Sequence, residues 1–78
     1  MTEDEILKAV KETVADYIKT DDVDPNSKLS DLGLDSLDKA EIVINLEDKL
    51  DIHFEDEEMA SIEKVQDLLD LIAKKKGL

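Results

Sequence analysis

Apolar residues recur at helical spacing in three stretches of this chain, and no stretch alternates apolar with polar residues as a half-buried strand would. In the first, Ile6, Leu7, Val10, Val14, Tyr17 and Ile18 share one face of a helix running from Glu3 to about Lys19. Thr2 is placed to cap it, with Glu3, Asp4 and Glu5 set against the positive end of its dipole. A second helix should run from Ser36 to about Leu50. The third stretch, Val65 to Lys75, should bury Val65, Leu68, Leu69 and Ile72. Lys74, Lys75 and Lys76 then complement its negative end, and Gly77 suits a terminator. Ahead of it, Asp56-Glu57-Glu58-Met59-Ala60 reads as a capped single turn or short helix.

The segment from Thr20 to Asp35 carries turn chemistry instead, in Asp21, Asp22, Pro25, Asn26, Ser27 and Gly33. Loops of about sixteen residues are uncommon in a small domain unless functional or disordered. Leu29, Leu32 and Leu34 predict that this one is ordered and tied to the core. The expected fold class is all-α: a small four-helix bundle of three main helices and one short one, with a long loop between the first two, residues 1–78 forming one domain.

That fold has to stand on its apolar core, because the 78 residues include no cysteine for a disulfide, a thiolate metal site or a redox thiol. The 22 acidic against 10 basic residues give a net charge of −12, which repels nucleic-acid phosphate and anionic lipid and makes a basic protein the natural partner. No apolar run approaches a membrane span, and Met1-Thr2-Glu3-Asp4 is the opposite of a basic signal-peptide start. The expectation is a soluble, cytoplasmic monomer without membrane insertion.

On a wheel advancing about 100° per residue, Ile42, Val43, Leu46 and Leu50 cluster as the core stripe of the second helix. Leu37, Ala40 and Ile44 gather on another side, close to Glu41 and Asp48. Such a strip either packs beneath the long loop or forms a binding surface rimmed with carboxylates.

Little in the chain suggests catalysis. The one histidine, His53 beside Phe54, reads as structural or solvent-exposed, and carboxylates are too abundant for any pair to stand out as acid and base. Asp22, Asp24 and Asn26 fall at positions one, three and five of an EF-hand, but Ser27 takes the place of its glycine and Gly33 that of its bidentate glutamate. Loose divalent binding is expected and a dedicated metal site is not. Ser36 differs from both. It follows Gly33-Leu34-Asp35 at the start of the second helix, with Asp35 a natural N-cap and Asp38 at the capping-box position. Either Asp35 and Ser36 merely cap the helix, or a phosphate esterified to Ser36 rests at its positive end.

Asp31-Leu32-Gly33-Leu34-Asp35-Ser36-Leu37, continued by Asp38-Lys39-Ala40-Glu41-Ile42-Val43, resembles the acyl carrier protein family, of the discrete type that serves fatty-acid synthesis in bacteria and organelles. The likeness runs through Leu46-Glu47-Asp48-Lys49-Leu50-Asp51-Ile52 and Asp56-Glu57-Glu58 to Val65-Gln66-Asp67, essentially the whole chain. The resemblance implies that Ser36, flanked by Asp35 and Leu37, receives 4′-phosphopantetheine from coenzyme A through a separate, magnesium-dependent phosphopantetheinyl transferase. The arm's thiol would then carry acyl groups as thioesters to fatty-acid-synthesis and acyltransferase enzymes. Carried over by position, Asp35, Asp38, Glu41, Glu47 and Asp48 would meet basic patches on those enzymes, with Leu37 and Ile44 as apolar contacts. Ile42, Leu46, Ile62 and Leu68 would line a cavity for the acyl chain.

Several positions depart from the family's commonest pattern. Leu29 stands where Phe is usual and Asn45 where a small residue is common, while Lys39 and Lys49 add positive charge to an otherwise acidic helix. Glu63-Lys64 replaces a Thr pair, which leaves Ser61 to cap the last helix. Two other functions compete with the leading one: a carrier of aminoacyl or polyketide cargo for a specialised pathway, and an unmodified acidic adaptor for a basic enzyme. For all three, like-charge repulsion should weigh on so small a domain. Added salt or millimolar divalent cations should therefore raise the melting temperature, and a melting temperature indifferent to both would show that the charges are better spaced than their number implies.

Overall fold

The computed structural model describes residues 2–18 and 23–77. It contains four α-helices: α1 (Glu3–Ile18), α2 (Ser36–Leu50), α3 (Asp56–Ser61) and α4 (Val65–Lys75). Among the described residues there is no strand, and α1 packs along both α2 and α4. The expected all-α bundle of three main helices and one short one is what the chain forms. The expectation that α1 reaches Lys19, and the Asp21–Asp22 part of the loop, fall outside the described residues.

Each helix begins with its own carboxylate or hydroxyl arrangement. At α1, Glu5 N–H donates to Thr2 Oγ1 (3.2 Å) and Thr2 N–H donates back to Glu5 Oε1 (3.2 Å), the reciprocal pattern of a capping box. α3 begins one residue earlier than the sequence suggested. Its N-cap is Glu55, not Asp56, and Glu58 Oε1 accepts from Glu55 N–H at 2.9 Å. Ser61 does not cap α4, because its hydroxyl donates to the Glu58 carbonyl at 2.7 Å. The N-cap of α4 is Lys64, whose side chain has no acceptor to offer. Asp67 serves alone, accepting from both Glu63 N–H and Lys64 N–H at 2.9 Å.

The core is a single cluster. Ile6, Val10 and Val14 of α1 meet Ile42, Val43, Leu46 and Leu50 of α2 and Val65, Leu68 and Ile72 of α4. Leu69, expected to be buried, is only partly so. Among the described residues Thr13 is the one buried polar residue: it donates to Ala9 O at 2.8 Å and accepts from Lys49 Nζ at 3.3 Å, so its hydroxyl costs the core little.

From Val23 to Asp35 the long loop is ordered by two devices, of which the sequence revealed one. Val23, Leu29 and Leu34 are buried in the core, and Leu32 packs at its edge around a single 3₁₀ turn at Ser30–Leu32. Gly33 ends that turn at φ 82°, a conformation glycine adopts without steric cost. The second device is a backbone zip. Leu29 N–H donates to Glu63 O (2.8 Å), Val65 N–H to Ser27 O (3.3 Å) and Gln66 N–H to Pro25 O (2.8 Å), around an isolated antiparallel bridge between Lys28 and Lys64. The loop is thereby fixed to the α3–α4 junction.

α3 contributes no fully buried residue of its own. It is held from the side: Lys75 Nζ lies 2.8 Å from Glu58 Oε1 and 5.4 Å from the centre of the Phe54 ring. The Glu55 N–H, followed by Lys75, holds the Glu58 carboxyl below its ordinary value. The Lys64 and Glu63 N–H groups do the same for Asp67. A carboxylate whose folded pKa is lowered contributes stability that is complete above its unfolded value and is lost as pH falls through the folded one. Stability should therefore decline in acid, below the ordinary carboxylate range near about 4. Asp67→Asn should lower stability at neutral pH by on the order of 1 kcal/mol and flatten the acid decline, as read by thermal melts from pH 7 downward.

Candidate functional site

The start of α2 is built by Asp35 and Asp38. Asp38 N–H donates to Asp35 Oδ1 at 2.9 Å, Asp35 N–H donates to Asp38 Oδ2 at 3.2 Å, and Lys39 N–H makes the first helical bond to Asp35 O at 3.0 Å. The capping role foreseen for Asp35 and Asp38 is therefore present in full. Ser36 becomes the first helical residue, exposed, at the end of the helix where backbone N–H groups face outward. The other described serines are placed differently. Ser61 is bonded to Glu58 O, Ser27 lies in the turn after Pro25, and Ser30 opens the 3₁₀ turn.

Beside Ser36 lies an open groove of about 500 Å³ between the loop, the start of α2 and the α3–α4 junction. Leu29, Leu34 and Ile62 give it apolar walls, and Ser36, Lys28 and Lys39 stand along it. Of the four residues proposed to line an acyl cavity, Ile62 reaches this groove, while Ile42, Leu46 and Leu68 are wholly enclosed in the core. Leu29 and Leu34, read from the sequence only as ties for the loop, are groove walls as well. A smaller groove of about 270 Å³ between α1 and α4 lies away from Ser36.

The second apolar strip of α2 does not pack beneath the loop. Leu37 is 74% exposed and Ile44 53% exposed, and Glu41 and Asp48 are exposed beside them, at the i, i+4, i+7 and i+11 positions of one stripe. Ala40 is half-buried at its edge. Glu47 belongs to a different environment. Its Oε2 accepts from Phe54 N–H at 2.8 Å and lies 3.2 Å from His53 Nδ1, so this carboxylate braces the α2–α3 connection. His53 is exposed, as expected.

Both lysines of α2 turn away from the stripe. Lys39 Nζ donates to Ile62 O at 2.9 Å and Lys49 Nζ to Thr13 Oγ1 at 3.3 Å. They do not dilute the outward face, which presents apolar side chains and carboxylates alone. The wheel contained this information, since Lys39 lies about 200° from Leu37, but charge counted along the helix without regard to direction concealed it. Among the described residues no group of three or more His, Asp or Glu side chains is placed to hold a metal ion, and Asp22 of the EF-hand comparison lies outside them. Among the described residues no helix is long and apolar enough to cross a membrane.

The exposed stripe and the core stripe should respond differently to substitution. Leu37→Ser and Ile44→Ser should change stability by less than about 0.5 kcal/mol, whereas Ile42→Ala or Leu46→Ala should cost about 2–5 kcal/mol in denaturant melts.

Comparison with known proteins agrees with this geometry. The family described as "Phosphopantetheine attachment site" matches residues 8–72. An acyl carrier protein of Solidesulfovibrio magneticus is 39% identical over 75 residues, covering 92% of this chain and 96% of that protein. One from Chlorobium phaeobacteroides is 38% identical over 78 residues, covering 96% of this chain and 100% of its own. The solved structure of an acyl carrier protein from Thermotoga maritima superposes with a TM-score of 0.83 at 31% identity, over 96% of this chain and 91% of that one.

Proposed function

The chain belongs to the acyl carrier protein family, and on that premise we propose that Ser36 is the residue that takes the 4′-phosphopantetheine arm. The chain is a carrier of acyl groups on that prosthetic group and not an enzyme. The observation that carries the assignment is the position of Ser36: exposed, first in a fully capped helix and beside a groove with apolar walls.

The site fits the group. In loading, the Ser36 hydroxyl attacks the phosphorus nearest the pantetheine of coenzyme A. The Oγ–P bond forms, the bond to the second phosphate breaks, 3′,5′-ADP leaves, and the hydroxyl proton passes to a base on the transferase. The N–H groups of Ser36 and Leu37, left outside the bonds between Asp35 and Asp38, would hold the resulting phosphodiester. The bound arm supplies the thiol on which acyl groups ride as thioesters. Leu29, Leu34 and Ile62 give the acyl chain its first apolar contacts, and Ile42, Leu46 and Leu68 form the layer it reaches when Ile62 yields.

The stripe of Leu37, Glu41, Ile44 and Asp48, with Asp35 and Asp38 at its head, is the surface offered to basic patches on the phosphopantetheinyl transferase and on the enzymes that load and unload the carrier. Electrostatic steering speeds such encounters without making them permanent. Glu47 supports this surface through Phe54 and His53 more than it joins it. Fatty-acid and lipid synthesis is the assigned pathway, supported by the acidity of the chain and by the leucine after Ser36.

Incubation with coenzyme A, magnesium and a phosphopantetheinyl transferase should raise the intact mass by one phosphopantetheine unit. Ser36→Ala should abolish the gain while leaving the helical circular dichroism unchanged. No gain in the unaltered chain, or a gain that survives in Ser36→Ala, would overturn the assignment.

A further inference from the structure

Lys39 is one of two cations on an otherwise acidic helix. It lies three residues after Ser36, on the same side of α2, and both line the groove. Lys39 is half-buried and its ammonium donates to Ile62 O at 2.9 Å. An ammonium has three donors and the carbonyl engages one. Among the described residues no carboxylate lies within 4.0 Å of Nζ. In a chain of net charge −12, this is a cation on a half-buried residue with no anion against it among the described residues.

The groove carries a second cation. Lys28 lines it and stands directly opposite Lys64 in the antiparallel bridge, and Lys64 lies near the Asp67 carboxylate. Two carboxylates also border the groove, Asp35 and Glu63. Asp35 has one oxygen committed to Asp38 N–H, and Glu63 is exposed.

We propose that Lys39 is a second anchor for the prosthetic arm: its free N–H groups take the phosphodiester on Ser36 while it keeps its bond to Ile62 O, which pins the base of the arm to the groove side of α2. This rests on Ser36 being the attachment residue. A phosphodiester on Ser36 Oγ brings one negative charge within a helical turn of the ammonium, and the hydrogen bond it accepts there is charge-assisted. The arm is thereby turned toward Leu29 and Ile62 and away from the Leu37–Ile44 stripe. A basic partner draws it out by competing for the same phosphodiester.

The test begins by loading the chain with its arm and confirming the mass gain. The arm thiol is then capped, and the acetylation rate of each lysine is followed by peptide mass spectrometry with and without the arm. Loading should slow Lys39 about two- to fivefold relative to Lys8, as expected of a partly exposed ion pair, and high salt should restore the rate. Equal rates at Lys39 in the two forms would overturn the proposal, and this comparison needs no variant.

Consequence for the arm is read with a nitroxide on its thiol. Amide broadening should favour Leu29, Ile62 and Glu63 over Glu41 and Ile44, lose that bias in Lys39→Met and keep it in Lys39→Arg. An unchanged pattern in Lys39→Met would also overturn it. Failure to load removes the Ser36 assignment and this proposal with it, whereas loading without a change at Lys39 removes this proposal alone.

Discussion

The two hydrogen bonds exchanged between Asp35 and Asp38 set where α2 begins, and the arrangement of the rest of the site follows from that point. They place Ser36 first in the helix, leave the N–H groups of Ser36 and Leu37 outside the box, and hold the residue before them extended. From that start, helical geometry deals the remaining side chains to their faces. Ile42, Val43, Leu46 and Leu50 go to the core, Leu37, Glu41, Ile44 and Asp48 to the outside, and Lys39 to the groove. One cap thus aligns the Ser36 hydroxyl, the exposed stripe from Leu37 to Asp48 and a groove.

That partition also gives the net charge of −12 a direction. The two lysines of α2 turn inward to Ile62 O and Thr13 Oγ1, so the outward stripe is left apolar and acidic. Lys28, bridged to Lys64, lines the groove together with the carboxylates Asp35 and Glu63. On α2 itself the signs separate by direction: carboxylates and apolar side chains face outward, and the two lysines turn to other elements. Such separation leaves like charges adjacent, and for a domain of this size that repulsion is met with a small core. The Lys75–Glu58 pair and the Asp67 cap are local compensations at the short helix and the last helix.

Much of this was legible in the sequence. Helical spacing located α1, α2 and α4, and the Asp35-Ser36-Leu37-Asp38 run revealed its cap because the donors and acceptors are close in the chain. What was not legible depends on residues far apart in sequence meeting in space. The zip between residues 25–29 and 63–66 is made of backbone groups, which carry no side-chain signature. The caps of α3 and α4 were misread because the acceptor lies at the third helical residue, Glu58 and Asp67, while attention to the N-cap position itself suggested Asp56 and Ser61. Lys39 was visible as a departure in charge, but its reach to Ile62 O required the fold. Likewise, that Ile62 faces the groove while Ile42, Leu46 and Leu68 lie beneath it is a matter of depth, which apolar periodicity does not encode.

The cap of α2 distinguishes Ser36 from Ser30, the other serine on the groove. Cleavage after Lys28 and Lys39 releases a peptide from Leu29 to Lys39 that contains both Ser30 and Ser36. Fragmenting that peptide from protein isolated from its native source distinguishes the two. Phosphopantetheine on Ser36 alone is the expected result; an arm on Ser30, or a peptide that is unmodified throughout, would contradict the proposed attachment at Ser36.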